Sequence, residues 1–333
     1  MKIFLAATET FWQNFRIIPS VTSLFNGDKY NLFYSYLHDK QSSRSSVNYP
    51  DSFNICDSGA HSFFTSSEVN LGIPTQHSQK STRMDDPDKY VSDYIKWMQR
   101  NWDRFDFFVE LDIQDLVGYE KVLNWRRLYK KAGVWQKVIT CYHESNSFEE
   151  FQQMVDDSES RYVGIEGVRK GRPKLDYNRF IKYCYDNRCA IHGFAMVKRD
   201  YLSLHPFFSV DSSSMTYMYR AGMSYRWDKD KGKLKGVRGH RKLFTEKSKR
   251  YYHDNIAEPG EFVAVDKGSL VKYEDVWIRR AAEARDAIKK QEEYFTRLWN
   301  SRGVVWDEGI IKRRNNASEA RKRVAGATSK KAG

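Results

Sequence analysis

Short apolar and β-branched runs alternate along the chain with longer stretches whose apolar positions recur every three or four residues. The first pattern predicts strands and the second helices. Strands are expected over residues 2–6, 31–36, 53–56, 107–111, 138–142, 162–165, 190–194 and 207–210. Helices are expected over 85–102, with Tyr90, Val91, Tyr94, Ile95 and Met98 on one face, and over 119–131, 148–155, 175–187 and 199–204. Gly133 reads as the stop of one helix. Ser147 followed by Glu150 reads as the capping box of the next. Strand–helix alternation implies a parallel sheet, and eight strands imply a closed (β/α)8 barrel. An open doubly wound sheet is the alternative, but no Gly-x-Gly-x-x-Gly turn follows the first strands.

The pattern changes after Arg220. Residues 226–250 hold eleven Lys or Arg against three acids, with Gly232, Gly236 and Gly239 among them. This stretch reads as a basic insertion or hairpin, or as a solvated charged loop. Residues 272–299 carry a long helical pattern, and residues 309–333 hold eight basic residues against one acid. The expected organisation is a barrel over 1–225, a basic segment over 226–269, a helical extension over 270–308 and a basic flexible tail over 309–333.

Composition adds a partner class. The 333 residues are 40% hydrophobic and 15% aromatic, with a formal net charge of +13 and a pI near 9.4. Such an excess of cations, not confined to the tail, points to a polyanionic partner. No apolar run approaches the ~18 residues of a membrane span, so no membrane association is expected. The first residues are too short an apolar run for a signal peptide. Cys56, Cys141, Cys184 and Cys189 form no Cys-x-x-Cys pair. Neither zinc nor a disulfide framework is expected, and a reducing, cytoplasmic setting is.

Three aspartates end apolar strands: Asp57, Asp112 and Asp211. In a parallel barrel all strands open on one face at their C-terminal ends, so the three carboxylates are expected to converge. Paired carboxylates suit glycosidic-bond chemistry, one as acid/base and one as nucleophile. Ser58, Gly59 and Ala60 are small enough to let a flat ligand approach. Gly164, Ile165, Glu166 and Gly167 are expected to leave backbone groups open to a planar heterocycle. His143, His192 and Gly193 are expected to line the pocket.

These segments resemble a known family. Asp57-Ser58-Gly59-Ala60 resembles the Asp-Ser-Gly-Gly motif of tRNA-guanine transglycosylases. Tyr162-Val163-Gly164-Ile165-Glu166-Gly167 resembles the glycine-rich base-binding turn of that family. Ile191-His192-Gly193-Phe194-Ala195, followed by Phe208-Ser209-Val210-Asp211, resembles its Gly-Val-Gly turn and nucleophilic aspartate. The similarity runs in order through residues 1–225. The family's Cys-x-Cys-x-x-Cys…His zinc site is missing, and Ser213-Ser214-Met215-Thr216 stands where the family has Pro-Thr-Arg. A zinc-less, very basic form is similar to the phage branch, the DpdA-type DNA transglycosylases.

The resemblance implies exchange of guanine in DNA for a free 7-deazaguanine base such as preQ0, with no cofactor. It implies Asp211 as the nucleophile, Asp57 as the general acid/base and Asp112 as acceptor from guanine N1–H and the exocyclic amine. It implies that the backbone of 164–167 reads O6 and that His143 takes the place of a base-contacting glutamine. Phe63 or Tyr142 is expected to stack on the base. Arg226, Lys233, Lys235, Arg238, Arg241 and Lys242 are expected to grip phosphates. A tRNA-directed enzyme, a plain glycosylase and a non-catalytic nucleic-acid-binding barrel are the other readings. Oligomeric state is open.

Overall fold

The computed structural model describes residues 1–6, 31–39, 52–60, 86–167, 175–212, 223–238, 262–266 and 269–311. Strands β1 (Lys2–Ala6), β2 (Asn31–Ser35), β3 (Phe53–Asp57), β4 (Phe107–Val109), β5 (Val138–Tyr142), β6 (Tyr162–Ile165), β7 (Ala190–Gly193) and β8 (Ser209–Ser212) close a barrel in chain order. The pairs β2–β3, β3–β4, β4–β5 and β5–β6 are parallel, as is the pair that brings β1 back on β8. The chain is a (β/α)8 TIM-like barrel, as the strand–helix alternation predicts.

Helices α1 (Tyr36–Asp39), α2 (Pro87–Arg100), α3 (Gln114–Val117), α4 (Tyr119–Lys131), α5 (Phe148–Asp156), α6 (Tyr177–Asp186) and α7 (Arg199–Leu204) link the strands. Their ends follow local chemistry. The Asp86 carboxylate accepts the Lys89 amide at 3.0 Å, and Pro87 opens α2. The Ser147 hydroxyl accepts the Glu150 amide at 3.1 Å while Glu150 accepts the Ser147 amide at 2.7 Å, the reciprocal box read from sequence. Gly133, at φ +71°, ends the turn after α4.

Residues fall into two compact units. The first comprises Asp28–Glu166, Lys182–His192 and Asp307–Gly333. Its core includes a layer of rings: Phe53 to Phe107 (6.0 Å), Phe107 to Tyr162 (5.2 Å), Tyr162 to His192 (6.3 Å) and His192 stacked on Phe33 (5.5 Å). Phe107 and Tyr162 sit on strands with β5 between them, so the rings meet across the barrel interior. Outside this layer, α2 packs Tyr94 and Trp97 over Tyr36, Phe105 and Phe108. The Tyr94 hydroxyl lies 3.2 Å from the Cys56 carbonyl and 3.0 Å from that of Val109, tying the ends of β3 and β4.

The second unit comprises Met1–Gly27, Gly167–Ile181 and Gly193–Trp306. Here β1 lies beside β8, with Phe4 in register with Asp211. The long helix α8 (Tyr273–Ser301) braces this pair. Glu292 accepts the Ile3 amide at 2.6 Å, and Trp299 donates to the Leu202 carbonyl at 2.8 Å. Strands β9 (Met223–Asp228) and β10 (Lys233–Arg238) form an antiparallel hairpin on α8. The Trp227 ring is 5.3 Å from that of Tyr294. A second hairpin, β11 (Phe262–Asp266) with β12 (Ser269–Lys272), leads into α8.

The segment boundaries move. The expected division at 225/226 cuts β9, and that at 269/270 cuts β12. The hairpins and α8 share the second unit with β1 and β8, and the β9–β10 hairpin meets α8 through the Trp227 and Tyr294 rings; charge, which set the expected boundary, does not follow that packing. The tail from residue 312 lies outside the described residues.

Candidate active site

Side chains alternate along a strand, so Phe53, Ile55 and Asp57 face the barrel interior together. Tyr162, Gly164 and Glu166 do the same along β6 and the turn that follows it. Asp57 and Glu166 each follow by four residues a ring of the interior layer, Asp57 at the C-terminal end of β3 and Glu166 directly after β6. The Asp57 carboxylate accepts the Gly59 amide at 3.0 Å. Gly59 holds φ +86°, and a Cβ there would come within 2.7 Å of the Leu37 Cβ. Glycine is therefore required to fold the chain over the Asp57 carboxylate. Ser58 is fully buried and gives its carbonyl to the Tyr90 hydroxyl at 2.6 Å, so it supports the turn.

The next strands build a second acidic group. Below it, Glu110 and Arg126 form a buried two-pronged ion pair at 2.9 and 2.7 Å. Glu110 also accepts the Cys141 amide at 2.6 Å, which locks β4 to β5. The Leu111 amide donates to the Tyr129 hydroxyl at 3.3 Å. Asp112 follows directly. Its Oδ1 meets His143 Nε2 in an ion pair, and His143 Nδ1 lies 3.8 Å from Glu166 Oε2. Glu166 is itself held: its Oε1 accepts the Glu144 amide at 2.9 Å.

Burial alone would push the His143 pKa down, but the charges and contact of Asp112 and the charge of Glu166 outweigh it and raise the pKa above the ordinary imidazole value. Burial also pushes the Cys141 thiol well up, and the Asp112, Glu110 and Asp57 charges add to that effect. The Asp112 side chain is 21% exposed and that of His143 is 2%. Asp112 can therefore meet a ligand, and His143 stands behind it.

Asp211 lies on β8 and is buried. Its Oδ1 accepts the amide of Ala195 at 2.9 Å. Ala195 holds φ +57°, a left-handed conformation that costs an alanine roughly 1–2 kcal/mol. The turn after β7 is bent so that its amide reaches this carboxylate.

Other expected site residues take different positions. His192 is fully buried in the ring layer because β7 runs on through Gly193, so it belongs to the core and not to a pocket wall. The Nε2 of His143 is spent on Asp112, so His143 is not placed as a base-contacting group. Gly164 and Ile165 belong to β6, in register with Cys141 and Tyr142, so the turn opens only at Glu166. A Cβ on Gly167 would strike the Phe194 carbonyl oxygen, and one on Gly193 would lie 3.1 Å from Met196 Sδ and from the Phe207 ring. Close chain packing explains both glycines.

The Tyr142 ring packs 5.3 Å from Phe151 of α5, with its hydroxyl 2.7 Å from the Asn146 carbonyl, and so points away from the interior. Arg226, Lys233 and Lys235 are exposed on the β9–β10 hairpin. Arg226 lies 3.4 Å from Glu283 of α8. Arg238 ends β10. Phe63, Arg241 and Lys242 lie outside the described residues.

Two contributors had a faint sequence signal or none. Glu110 stands inside an apolar run, and a carboxylate there demands a buried cation, but nothing local singles out Arg126. Ala195 carried no signal, since left-handed backbone is expected of glycine and not alanine.

The arrangement supplies anionic oxygens held by backbone amides or by an imidazole at strand ends, where barrel enzymes carry their chemistry. Such groups can accept N–H donors, shuttle protons and attack electrophilic carbon. Among the described residues, no three His, Cys, Asp or Glu side chains are grouped to hold a metal ion, and no helix is long and apolar enough to cross a membrane. Compared with protein families, curated proteins and solved structures, the chain matches none.

Proposed function

We propose that this protein is a DNA-guanine transglycosylase that replaces guanine in DNA with a free 7-deazaguanine base of the preQ0 type. The observation that carries the reading is that Asp57 and Asp211, the two aspartates the resemblance requires, are each fixed by a backbone amide at the end of a barrel strand. Asp211 attacks C1′ of the target nucleotide. The C1′–N9 bond breaks, and guanine leaves with a proton from Asp57. The incoming base returns a proton to Asp57 and attacks C1′, which releases the Asp211 carboxylate. The glycosyl ester is the intermediate of a retaining mechanism. Asp112 accepts the N1–H and amino edge of guanine.

A target in a duplex must leave the stack to reach a barrel, at a cost of a few kcal/mol. The net charge of +13 and the exposed Lys233 and Lys235 support a phosphate-binding partner. The reaction belongs to the pentosyltransferases, and DNA and the free base are the partners it implies. Such a protein would work in the cytoplasm of the cell that replicates that DNA, a host cell for a phage-encoded enzyme.

Nucleoside mass analysis of DNA and of tRNA incubated with the protein and 7-deazaguanine bases tests the reading. Substituted base in DNA is the expected result. Substitution in tRNA alone moves the substrate to RNA, abasic sites make it a glycosylase, and no change in either polymer overturns it. Asp211→Asn is expected to abolish the covalent adduct while DNA binding persists.

A further inference from the structure

We infer that His143 is a positioning residue: clamped between Glu166 and Asp112, it holds the Asp112 carboxylate in one orientation, with Oδ1 occupied and Oδ2 presented to the N–H edge of a guanine-type base. The inference deepens the reading above and rests on it.

Four features carry it. Nε2 of His143 meets Asp112 Oδ1, and Nδ1 lies 3.8 Å from Glu166 Oε2, so the ring sits between two carboxylates. Glu166 is fixed from behind by the Glu144 amide at 2.9 Å. Asp112 is fixed from below, because Glu110 and Arg126 lock the end of β4 and the Leu111 amide is bonded to Tyr129. Of the two residues in the ion pair, only Asp112 is exposed enough to touch a ligand, with 21% of its side chain accessible against 2% for His143. The clamp thus has a rigid base and a single open end.

A cationic imidazole does two things for that end. It spends Oδ1 on a charged donor, which leaves Oδ2 of the carboxylate as an acceptor for the N–H donors of the base. It also stops the carboxylate from rotating, so less freedom is lost when the base binds. Asp112 after β4 and Glu166 after β6 face the imidazole, and the charge of Asp115 on α3 also acts on it. Cys141 precedes it by two residues on β5, with a thiol that burial keeps neutral. The buried cation of α4, Arg126, is spent on Glu110. The strongest charges that act on the ring, those of Asp112, Glu166 and Asp115, favour its protonated form, consistent with its raised pKa. Above that pKa the ring is neutral, the clamp slackens and base binding weakens.

The test uses the full chain and free guanine as probe, measured by equilibrium dialysis from pH 6 to pH 9, beside ¹⁵N spectra of the histidine ring. The His143 ring is expected to titrate above the ordinary imidazole value, and Glu166→Gln is expected to lower the pH at which it titrates. Guanine affinity in the wild type is expected to fall as that proton is lost. His143→Gln keeps an amide donor to Asp112 without a titrating proton; its affinity is expected to stay within a few-fold of wild type at pH 7 and to be flat with pH. His143→Leu is expected to lose about tenfold, the equivalent of one hydrogen bond to a charged group. In exchange assays the loss is expected in KM with kcat little changed.

If the wild type binds guanine but His143→Leu binds equally well, or His143→Gln keeps the wild-type pH profile, the positioning role is overturned and the transglycosylase reading stands. A ring that titrates at or below the ordinary imidazole value, unmoved by Glu166→Gln, also overturns it. A wild type that neither binds guanine nor exchanges it overturns the functional reading itself, whatever the ring's titration. His143→Gln serves where His143→Leu fails to fold.

Discussion

The amide of Ala195 donates to the carboxylate of Asp211 at 2.9 Å from a left-handed backbone turn. A residue that gains nothing from that conformation has been placed in it, and the bond it makes falls on the residue proposed as nucleophile. Strain of this kind persists where the surroundings over-determine it. Ala195→Gly removes the steric cost and keeps the amide, so stability is expected to rise by up to about 1 kcal/mol in urea unfolding with exchange retained. Ala195→Pro removes the amide and forbids the turn; it is expected to destabilise the fold by about 3 kcal/mol or more and to abolish exchange. Equal unfolding midpoints for the two variants would show that the turn carries no strain.

Arg126→Met strands the Glu110 carboxylate inside the protein. The expected loss is about 3–5 kcal/mol in urea unfolding. The double variant Glu110→Leu with Arg126→Met removes both charges and is expected to regain part of that loss, limited by the Cys141 amide that Glu110 now satisfies. A single variant as stable as wild type would mean that the pair is not buried in solution.

His143 ties pH to folding stability. Its pKa is raised in the folded state, so the stabilisation from its ion pairs is fully present below the unfolded value near 6.5 and is lost as pH rises through the folded value. Thermal unfolding of wild type relative to His143→Gln is expected to show an advantage at pH 6 that shrinks toward pH 9. The opposite slope would assign His143 to the neutral form.

Lys233 and Lys235 project from β10, exposed to solvent. If they meet phosphates, removing both as alanines reduces the slope of log affinity against log salt by about 2 for double-stranded DNA. Affinity is expected to fall alike for all sequences, because phosphate contacts carry no base information. A slope equal to that of wild type would clear the hairpin of that role.

The hydrophobic pattern determined the barrel. Val138–Tyr142, Tyr162–Ile165, Tyr119–Lys131 and Arg199–Leu204 run between the residues that periodicity alone assigns. The reason is local: buried parallel strands must be short continuous apolar runs, and the caps at Ser147 and Gly133 act within one turn of the chain. The strand-end position likewise marked Asp57 as a carboxylate at the mouth of the barrel.

What lay beyond reach was every contact between residues distant in sequence. That His143 turns to Asp112 instead of to a ligand depends on where β4 ends, and β4 ends where Glu110 finds Arg126 on α4. That His192 belongs to the core depends on Phe33 standing across the barrel, and that Gly167 must be glycine depends on the chain after β7 passing against it. Such pairings are chosen by packing among elements, whose energies appear only once the barrel has closed, and no window of sequence contains both partners.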